Sequence, residues 1–316
     1  MIVLWISMIL FILVIYFIFF HSNQQNIPSV PSQVDKVGLV CMMRKPKNIE
    51  KWLDHHKSLG VSHFYIRLED TPELEELFSN DPSIYLQIGS SSDKVENGDT
   101  SYDSVIERQS IMIREAIEWS KQNHLDWLIG IDSDEWIECS NHFEGKKQMT
   151  IQETIQKEIG NDSSIQNIII ENYEPLYPSI QESSDSCFEY SKLIKCKDGN
   201  CISYANGKSI GKVSSELYEF GVHRFGFKKG KEITSKYMRL IHFESCDLEQ
   251  YIKKYLHLAS NQKQYIKYPF DFYNQSIQVA KSDICKNEMG KNHLSEINKD
   301  CIQAFKNIYK KYKVIH

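Results

Sequence analysis

The sequence has little of what defines several large protein classes. Glycine and proline number only 14 and 8 among 316 residues, which excludes collagen-like and low-complexity chains. The formal net charge of −5 lacks the basic excess that general nucleic-acid binding needs, so no nucleic-acid partner is expected. A single long apolar run excludes a multi-pass transporter, and the lack of a C-x-x-C pair argues against a zinc ribbon. Aromatic residues make up 12%, which favours a folded protein with a sizeable core.

The one long apolar run lies at the start of the chain. Residues 1–20 contain no charged side chain, and only Ser7 interrupts the run from Ile2 to Phe20. As a helix, this run spans about 30 Å, the thickness of a hydrocarbon core. A cleaved signal peptide is the alternative, but no basic residue precedes the run and Tyr16–Phe20 is too bulky for a cleavage site. The sequence predicts a transmembrane signal-anchor at 1–20 and a polar stalk at 21–35.

Two features favour a lumenal location for the rest of the chain. The triplets that begin at Asn161 and Asn274 are glycosylation sequons. The eight cysteines form an even number, which is compatible with disulfides in an oxidising compartment, although buried free thiols remain the open alternative. We therefore predict a single-pass, type II protein of the Golgi or ER membrane, with its body in the lumen.

Strand-like runs alternate with helical patterns in the first half of the body. Strands are predicted at Val37–Met43, Val61–Arg67 and Ser83–Ile88, and helices at Asn48–Leu59 and Ser104–Asn123. This alternation predicts an α/β fold with a mostly parallel central sheet flanked by helices. The pattern becomes mostly helical after Asp247, so we divide the body into a domain at 36–260 and a helical C-terminal extension at 261–316. Ligands of such sheets lie beyond the carboxyl ends of the strands.

An acidic cluster follows the most apolar of these runs. Trp127–Ile131 is typical of a central strand, and Asp132, Ser133, Asp134 and Glu135 come directly after it. In an extended chain, residues i and i+2 point to the same side, so Asp132 and Asp134 are expected to converge on one cation. Hard oxygen ligands favour Mg²⁺ or Mn²⁺, with phosphate oxygens completing the coordination. A solvent-facing acidic turn is the open alternative, whereas an EF-hand is not supported because Trp136 and Ile137 occupy required positions.

Several ordered blocks around this cluster carry a resemblance to a known family. Together they make the chain similar to glycosyltransferases of the GT-A fold, in particular family 92 and the related family-2-like group, over roughly residues 37–260. The blocks are Glu50–Ile66, Glu107–Gln109, Trp127–Glu135, Asn206–Ile210, Gly221–Phe225 and His242–Ser245. The chain departs from the family at Arg44–Lys47, where a Lys-Asn-Glu motif is usual, and at Arg67–Asp70 after the second strand.

The resemblance implies a GT-A-like fold and a set of roles. It implies a membrane-anchored enzyme that moves a sugar from a nucleotide-sugar donor to a hydroxyl of a glycan or glycoconjugate acceptor, with inversion and with Mn²⁺ (or Mg²⁺) as cofactor. The implied metal ligands are Asp132 and Asp134, with His242 or His223 as a late ligand. The implied nucleotide-sugar contacts are Asp70, Arg108, Asp132 and Lys208. Inversion needs a general base, and Glu171, Asp185, Glu216 and Glu244 all stay open for that role.

Other interpretations remain open at this point. The chain can be an anchored carbohydrate-binding protein or an inactive transferase-like protein. A phosphotransferase with Asp132 as nucleophile is less favoured, because Trp136 stands where that motif has threonine. Lys208 can be an ordinary solvated lysine, and Arg108 can form an ordinary salt bridge. The pair His55-His56 lies in the middle of a predicted helix and is expected to be structural.

Overall fold

The computed structural model describes residues 35–95, 101–141, 143, 148–182, 187–196, 202, 205–261, 268–289, 291 and 294–315. The predicted anchor at 1–20 and the stalk up to Val34 lie outside these residues. Within the described ranges, no helix is both long enough and apolar enough to cross a bilayer. The residues from Asp35 onwards form one compact unit.

The described residues form a large mixed sheet. The strands are β1 (Val37–Met43), β2 (Val61–Glu69), β3 (Ile84–Gly89), β4 (Trp127–Gly130), β5 (Glu135–Cys139), β6 (Ile165–Leu176), β7 (Lys192–Lys195), β8 (Lys208–Lys212), β9 (Leu217–Glu219), β10 (Phe225–Phe227) and β11 (Lys231–His242). Nine strands form the main sheet in the order β3-β2-β1-β4-β8-β6-β11-β5, with β7 paired to β6, while β9 and β10 form a separate hairpin. Strands β3, β2, β1 and β4 are mutually parallel, and β6 pairs in parallel with β11. The predicted α/β class, with a mostly parallel sheet flanked by helices, is confirmed.

The helices cover both faces of the sheet. They are α1 (Ile49–Ser58), α2 (Glu75–Ser79), α3 (Ser101–Gln122), α4 (Ile151–Ile159), α5 (Leu248–Asn261), α6 (Asp271–Lys281) and α7 (Lys299–Lys313). Helix α1 packs on β2 and β5, and α4 packs on β11, whereas α3 packs on β1 and β4. Strand β4 is therefore apolar on both sides, and its Trp127, Leu128 and Ile129 are almost fully buried.

The strand order places a ligand crevice between β1 and β4. The chain proceeds from β1 outward through β2 to β3, and then returns through α3 to β4 on the opposite side of β1. The connections after β1 and before β4 thus lead in opposite directions, which opens a crevice beyond the carboxyl ends of these two strands. Met43 ends β1, and the acidic cluster follows Gly130 at the end of β4. The fold thus brings the acidic cluster to the edge of the sheet where ligands bind.

Helix α1 is fastened to the back of this edge by three aromatic side chains. Trp52 donates its indole N–H to the carbonyl of Glu135 at 2.9 Å, and His55 Nε2 lies 2.7 Å from the carbonyl of Ile137. His56 donates from Nδ1 to the carbonyl of Trp52 at 2.8 Å and accepts the N–H of Ile137 at Nε2 at 3.5 Å. His56 is completely buried, and both ring nitrogens are used in its neutral form. The histidine pair therefore ties α1 to β5, which agrees with the structural role expected for it.

We expect His56 to make the fold sensitive to acid. Burial lowers the pKa of His56 from 6.5 to about 3, so the unfolded chain takes up this proton before the folded chain does. Its contribution to stability is present above pH 6.5 and is lost as the pH falls towards 3, by about 2.5 kcal/mol between pH 7 and pH 4.5. Urea unfolding at pH 7 and at pH 4.5 measures the free energy of unfolding at each pH. The loss of this free energy between the two pH values should be smaller in His56→Gln than in the parent, by about the amount that His56 contributes.

The exposed residue His124 provides the control for this measurement. It lies in a left-handed conformation with φ 54, which asparagine tolerates. His124→Asn should therefore leave the pH dependence of unfolding unchanged. An equal pH dependence in the His56→Gln variant and the parent would show that His56 is not the acid-sensitive group.

The C-terminal helices have a core of their own and two disulfides stabilise this region. Helices α5, α6 and α7 pack on one another around Tyr251, Phe272 and Phe305. Disulfides join Cys187 to Cys246 and Cys285 to Cys301. Buried free thiols also occur, at Cys41 and Cys139. Cys196 is buried too, and Cys201 lies outside the described residues.

The two sequons differ in their surroundings. Asn161 is exposed after α4. Asn274 is buried in α6, where its side-chain oxygen accepts the N–H of Tyr268 at 3.0 Å and its amide donates to the carbonyl of Tyr268 at 2.8 Å. Only Asn161 therefore presents its amide to solvent in the folded chain, and Asn274 instead holds residues 268–270 against α6.

Candidate functional site

A tight turn connects the central strand β4 to β5. The N–H of Glu135 donates to the carbonyl of Asp132 at 3.1 Å, which closes the turn, and the Glu135 carboxylate accepts the N–H of Asp132 at 2.7 Å. The segment is not extended, so the alternation assumed for Asp132 and Asp134 does not hold here. The two carboxylates instead have different partners.

Asp132 is bound to a buried lysine. Lys208 on β8 is only 2% exposed, and its Nζ lies 2.8 Å from Asp132 Oδ2 and 3.5 Å from Glu135 Oε2. Burial alone would lower the pKa of Lys208, but these two carboxylates outweigh it and raise the pKa. Gln109 on α3 donates to the other oxygen of Asp132 at 3.3 Å. Lys208 thus holds the acidic turn in place and is not a solvated lysine.

Asp134 lies in a second cluster, with His242 and Glu244. The antiparallel pairing of β11 with β5 sets His242 opposite Glu135, and the N–H of Phe243 then donates to the carbonyl of Asp134 at 2.8 Å. His242 Nε2 is 3.6 Å from Asp134 Oδ2 and 4.0 Å from Glu244 Oε2. The three side chains each offer one ligand atom, and these atoms all lie within 4.8 Å of one another.

The carboxylates of this cluster favour positive charge beside them. Burial alone would lower the pKa of His242, but Asp134, Glu135 and Glu244 outweigh it and raise the pKa to about 9. Burial would raise the pKa of Glu244, but Lys254 and His242 outweigh it and lower the pKa. Two carboxylates and one imidazole form a donor set that suits a divalent cation such as Mn²⁺ or Mg²⁺. A cation bound there would have to displace the proton that the raised pKa of His242 favours.

The cluster opens into a large cavity of about 1030 Å³. One end, at the edge of the sheet, is lined by Met42, Val105, Ile106, Gln109, Asp132 and His223. The other end, which we call the aromatic wall, consists of Tyr268, Phe270, Tyr273 and Tyr312 from the C-terminal region, with Asp271 among them. Asp134, His242, Glu244 and Lys254 line the same cavity. The volume is at the upper limit of typical small-molecule sites.

The other residues to which the resemblance assigned nucleotide contacts have structural partners. Arg108 forms a buried bidentate pair with Glu69, at 2.7 Å from Nε and 3.0 Å from Nη2. Asp70 accepts from Ser90 Oγ at 2.8 Å and from the N–H of Ser91 at 3.2 Å, and it pairs with Arg44 at 3.3 Å. Hydrogen bonds from these serines lower the pKa of Asp70 to about 2. These pairs fasten the loops that follow β1, β2 and β3.

His223 and the four possible bases are scattered. His223 lines the cavity but is not one of the three clustered ligands. Glu171 pairs with Lys195, and Glu216 lies in the turn before β9. Neither residue lines the large cavity. Asp185 lies outside the described residues. Glu244 is the one of the four that the structure brings next to Asp134, and there it is only 2% exposed and bound to Lys254.

Three residues were not predicted from the sequence to lie at the cation cluster or in the cavity as they do: Glu244, Lys254 and Asp271. Glu244 follows His242 by two residues at the end of a strand, so the alternation of strand side chains could have placed both on one side. Lys254 lies on α5, beside Glu244. Asp271 begins α6, where an acidic residue is also expected to stabilise the helix dipole, so its position in the cavity had no distinct sequence signal.

No family model matches the chain, and no curated protein sequence matches it.

Proposed function

We propose that the chain is a membrane-anchored, metal-dependent glycosyltransferase that moves a sugar from a nucleotide-sugar to a hydroxyl of a glycan or glycoconjugate, with inversion. The observation that carries this proposal is the cluster of Asp134, His242 and Glu244 at the carboxyl edge of the sheet, in a cavity that is lined both from the sheet edge and from the C-terminal region. An oxygen-rich cation site at this edge is where a fold of this class positions a phosphorylated ligand.

The donor fits the sheet end of the cavity. Met42, Val105 and Ile106 give this end an apolar surface for the nucleoside, and Gln109 adds a hydrogen-bonding group. The diphosphate then lies towards Asp134, His242 and Glu244, which would hold Mn²⁺ or Mg²⁺. A cation held there would offset the negative charge that builds up on the leaving diphosphate. Lys254 adds a fixed positive charge at the same place, because it is held by Glu244.

The acceptor fits the aromatic wall, where Asp271 serves as general base. The carboxylates that line the cavity are Asp132, Asp134, Glu244 and Asp271. Asp132 is paired with Lys208, and Asp134 and Glu244 belong to the cation site, so Asp271 is the carboxylate left to accept a proton. As the acceptor oxygen bonds to the anomeric carbon, the bond from that carbon to the diphosphate oxygen breaks and Asp271 takes the hydroxyl proton.

The membrane and lumenal parts of the proposal rest on the sequence and on two structural features. The run at residues 1–20 is long enough to anchor the chain. The disulfides Cys187–Cys246 and Cys285–Cys301 and the exposed sequon at Asn161 suit a lumenal body.

A binding screen tests the function directly. We expect nucleotide-sugars to raise the melting temperature only when Mn²⁺ or Mg²⁺ is present, because the cation links the diphosphate to the three ligands. A ligand at a hundred times its Kd adds about 2.7 kcal/mol of stability, a rise on the order of 5 °C. The measurement is differential scanning fluorimetry over a set of UDP- and GDP-sugars, with and without EDTA.

The same screen distinguishes the alternative. Stabilisation by glycans alone, without any response to nucleotide and cation, would favour an anchored carbohydrate-binding protein. Transfer is then measured with the donor that stabilises most, using release of the nucleoside diphosphate as the readout.

A further inference from the structure

A second, smaller pocket adjoins the cation site on the side of α1. Its volume is about 240 Å³, and it lies between the loop that follows β1 and the N-terminal end of α5. Asp134, Glu244 and Lys254 line both this pocket and the large cavity, so the two are neighbours. We call it the basic pocket, because Arg44, Lys45, Lys47 and Lys254 line it.

The charge of the basic pocket is only partly compensated. Arg44 pairs with Asp70, and Lys254 pairs with Glu244. Within the described part of the chain, Lys45 and Lys47 form no ion pair, and both are exposed at the pocket rim. Lys47 also interacts electrostatically with Asp247, so Lys45 is the lysine of the rim with the least compensated charge. These exposed lysines put positive charge beside the cation site in a chain of net charge −5.

The backbone around the pocket is held in unusual conformations. Three residues that line the pocket have left-handed backbone conformations: Lys45 (φ 48), Asn48 (φ 53) and Ser245 (φ 53). Asp70, the partner of Arg44, has the same conformation, with φ 47. Such residues cost free energy and concentrate at binding and catalytic sites. Four of the five non-glycine residues with positive φ in the described ranges thus lie in or beside this pocket, which marks it as more than a surface depression.

One side of the basic pocket is aromatic. Trp136 and Phe188 stack with ring centroids 4.2 Å apart, and Phe243 packs edge-on against both. Both faces of Trp136 are covered, one by Phe188 and the other by His55 with ring centroids 4.1 Å apart, so Trp136 can offer the pocket only its ring edge. Such an apolar edge can contact the C–H groups of a sugar ring, while charged substituents reach the lysines. The pocket is too small for a nucleotide-sugar, which the large cavity accommodates.

From this combination we infer that the basic pocket binds an acidic sugar residue, one that carries a carboxylate or a sulfate. Lys254 links the two sites, since its Nζ contacts Glu244 and lies 5.8 Å from the ring centre of Tyr273 on the aromatic wall. A glycan whose hydroxyl faces Asp271 therefore extends past Lys254 into the basic pocket. This placement as part of the acceptor rests on the proposed function, whereas the binding of an acidic sugar does not.

The test compares matched sugars on the full-length chain. Methyl β-glucuronide, glucose 6-sulfate and methyl β-glucoside are titrated by calorimetry without nucleotide. We expect either acid to bind about tenfold more tightly than the glucoside, since a charge-assisted contact contributes about 1.5 kcal/mol or more. The stronger of the two acids identifies the acidic group, and the preference should weaken with added salt.

Variants place the binding in the pocket. The double variant Lys45→Gln/Lys47→Gln should remove the preference for the acid and leave nucleotide-sugar binding with Mn²⁺ unchanged. The control Lys228→Gln/Lys229→Gln removes two exposed lysines that line neither cavity and should change nothing. Equal binding of the acids and the glucoside would overturn the inference, and so would a loss of nucleotide binding in the Lys45/Lys47 variant. Failure of the nucleotide screen alone would overturn the proposed function and leave this inference intact.

Discussion

Asp134→Asn is expected to abolish cation-dependent nucleotide-sugar binding and to lower transfer by about a hundredfold or more. Asp134 offers one of the three clustered ligand atoms. Asparagine keeps the shape of the aspartate side chain and removes its charge. Its side chain is 46% exposed, and Glu244 stays within 4.0 Å of the buried His242, so His242 keeps a charged partner and the fold should persist. Two measurements check this result, the Mn²⁺-dependent rise in melting temperature and the release of nucleoside diphosphate.

A matched carboxylate provides the control for this variant. Asp54 is exposed on α1 and lines neither cavity, so Asp54→Asn makes the same change in net charge without touching the cation site. Treatment of the parent with EDTA should mimic Asp134→Asn, and added Mn²⁺ should restore the parent but not the variant. Turnover by Asp134→Asn equal to that of the parent would remove Asp134 from the cation site.

Much of the framework of the fold follows from local sequence. The predicted strand at Val37–Met43 has the observed bounds, because a run of apolar residues that is buried on both faces leaves little choice of conformation. The predicted helix at Asn48–Leu59 forms at Ile49–Ser58 and is followed by Gly60 with φ 92, a conformation that glycine adopts easily. The position of the acidic cluster at the carboxyl edge also follows, since it comes directly after a central strand of a parallel sheet.

The pairing of side chains within the site does not follow from local sequence. Asp134 meets His242 and Glu244 because β11 pairs antiparallel with β5, and this register joins segments about a hundred residues apart. Asp132 meets Lys208 because β8 pairs with β4. Spacing rules for extended chain failed between Asp132 and Asp134 because a turn closes there. Long-range strand register, which one sequence specifies only through the whole packed sheet, decides which carboxylate binds the cation and which binds the lysine.

Asp271→Asn tests the assignment of the general base and is expected to have the second large effect. Loss of a positioned base lowers kcat by about 10² to 10⁴-fold, whereas binding of donor and cation should not change, because Asp271 lies among the residues of the aromatic wall. The loss of its charge at the start of α6 costs about 0.3–1 kcal/mol, so the melting temperature should fall by only a few degrees. This combination, with kcat lost and cation-dependent nucleotide binding retained, is what separates a base from a ligand of the cation.

Asp283→Asn is the control, since Asp283 is exposed just after α6 and lies outside both cavities. If Asp271→Asn instead lost donor binding with kcat unchanged, the aromatic wall would belong to the donor and the two ends of the cavity would exchange roles.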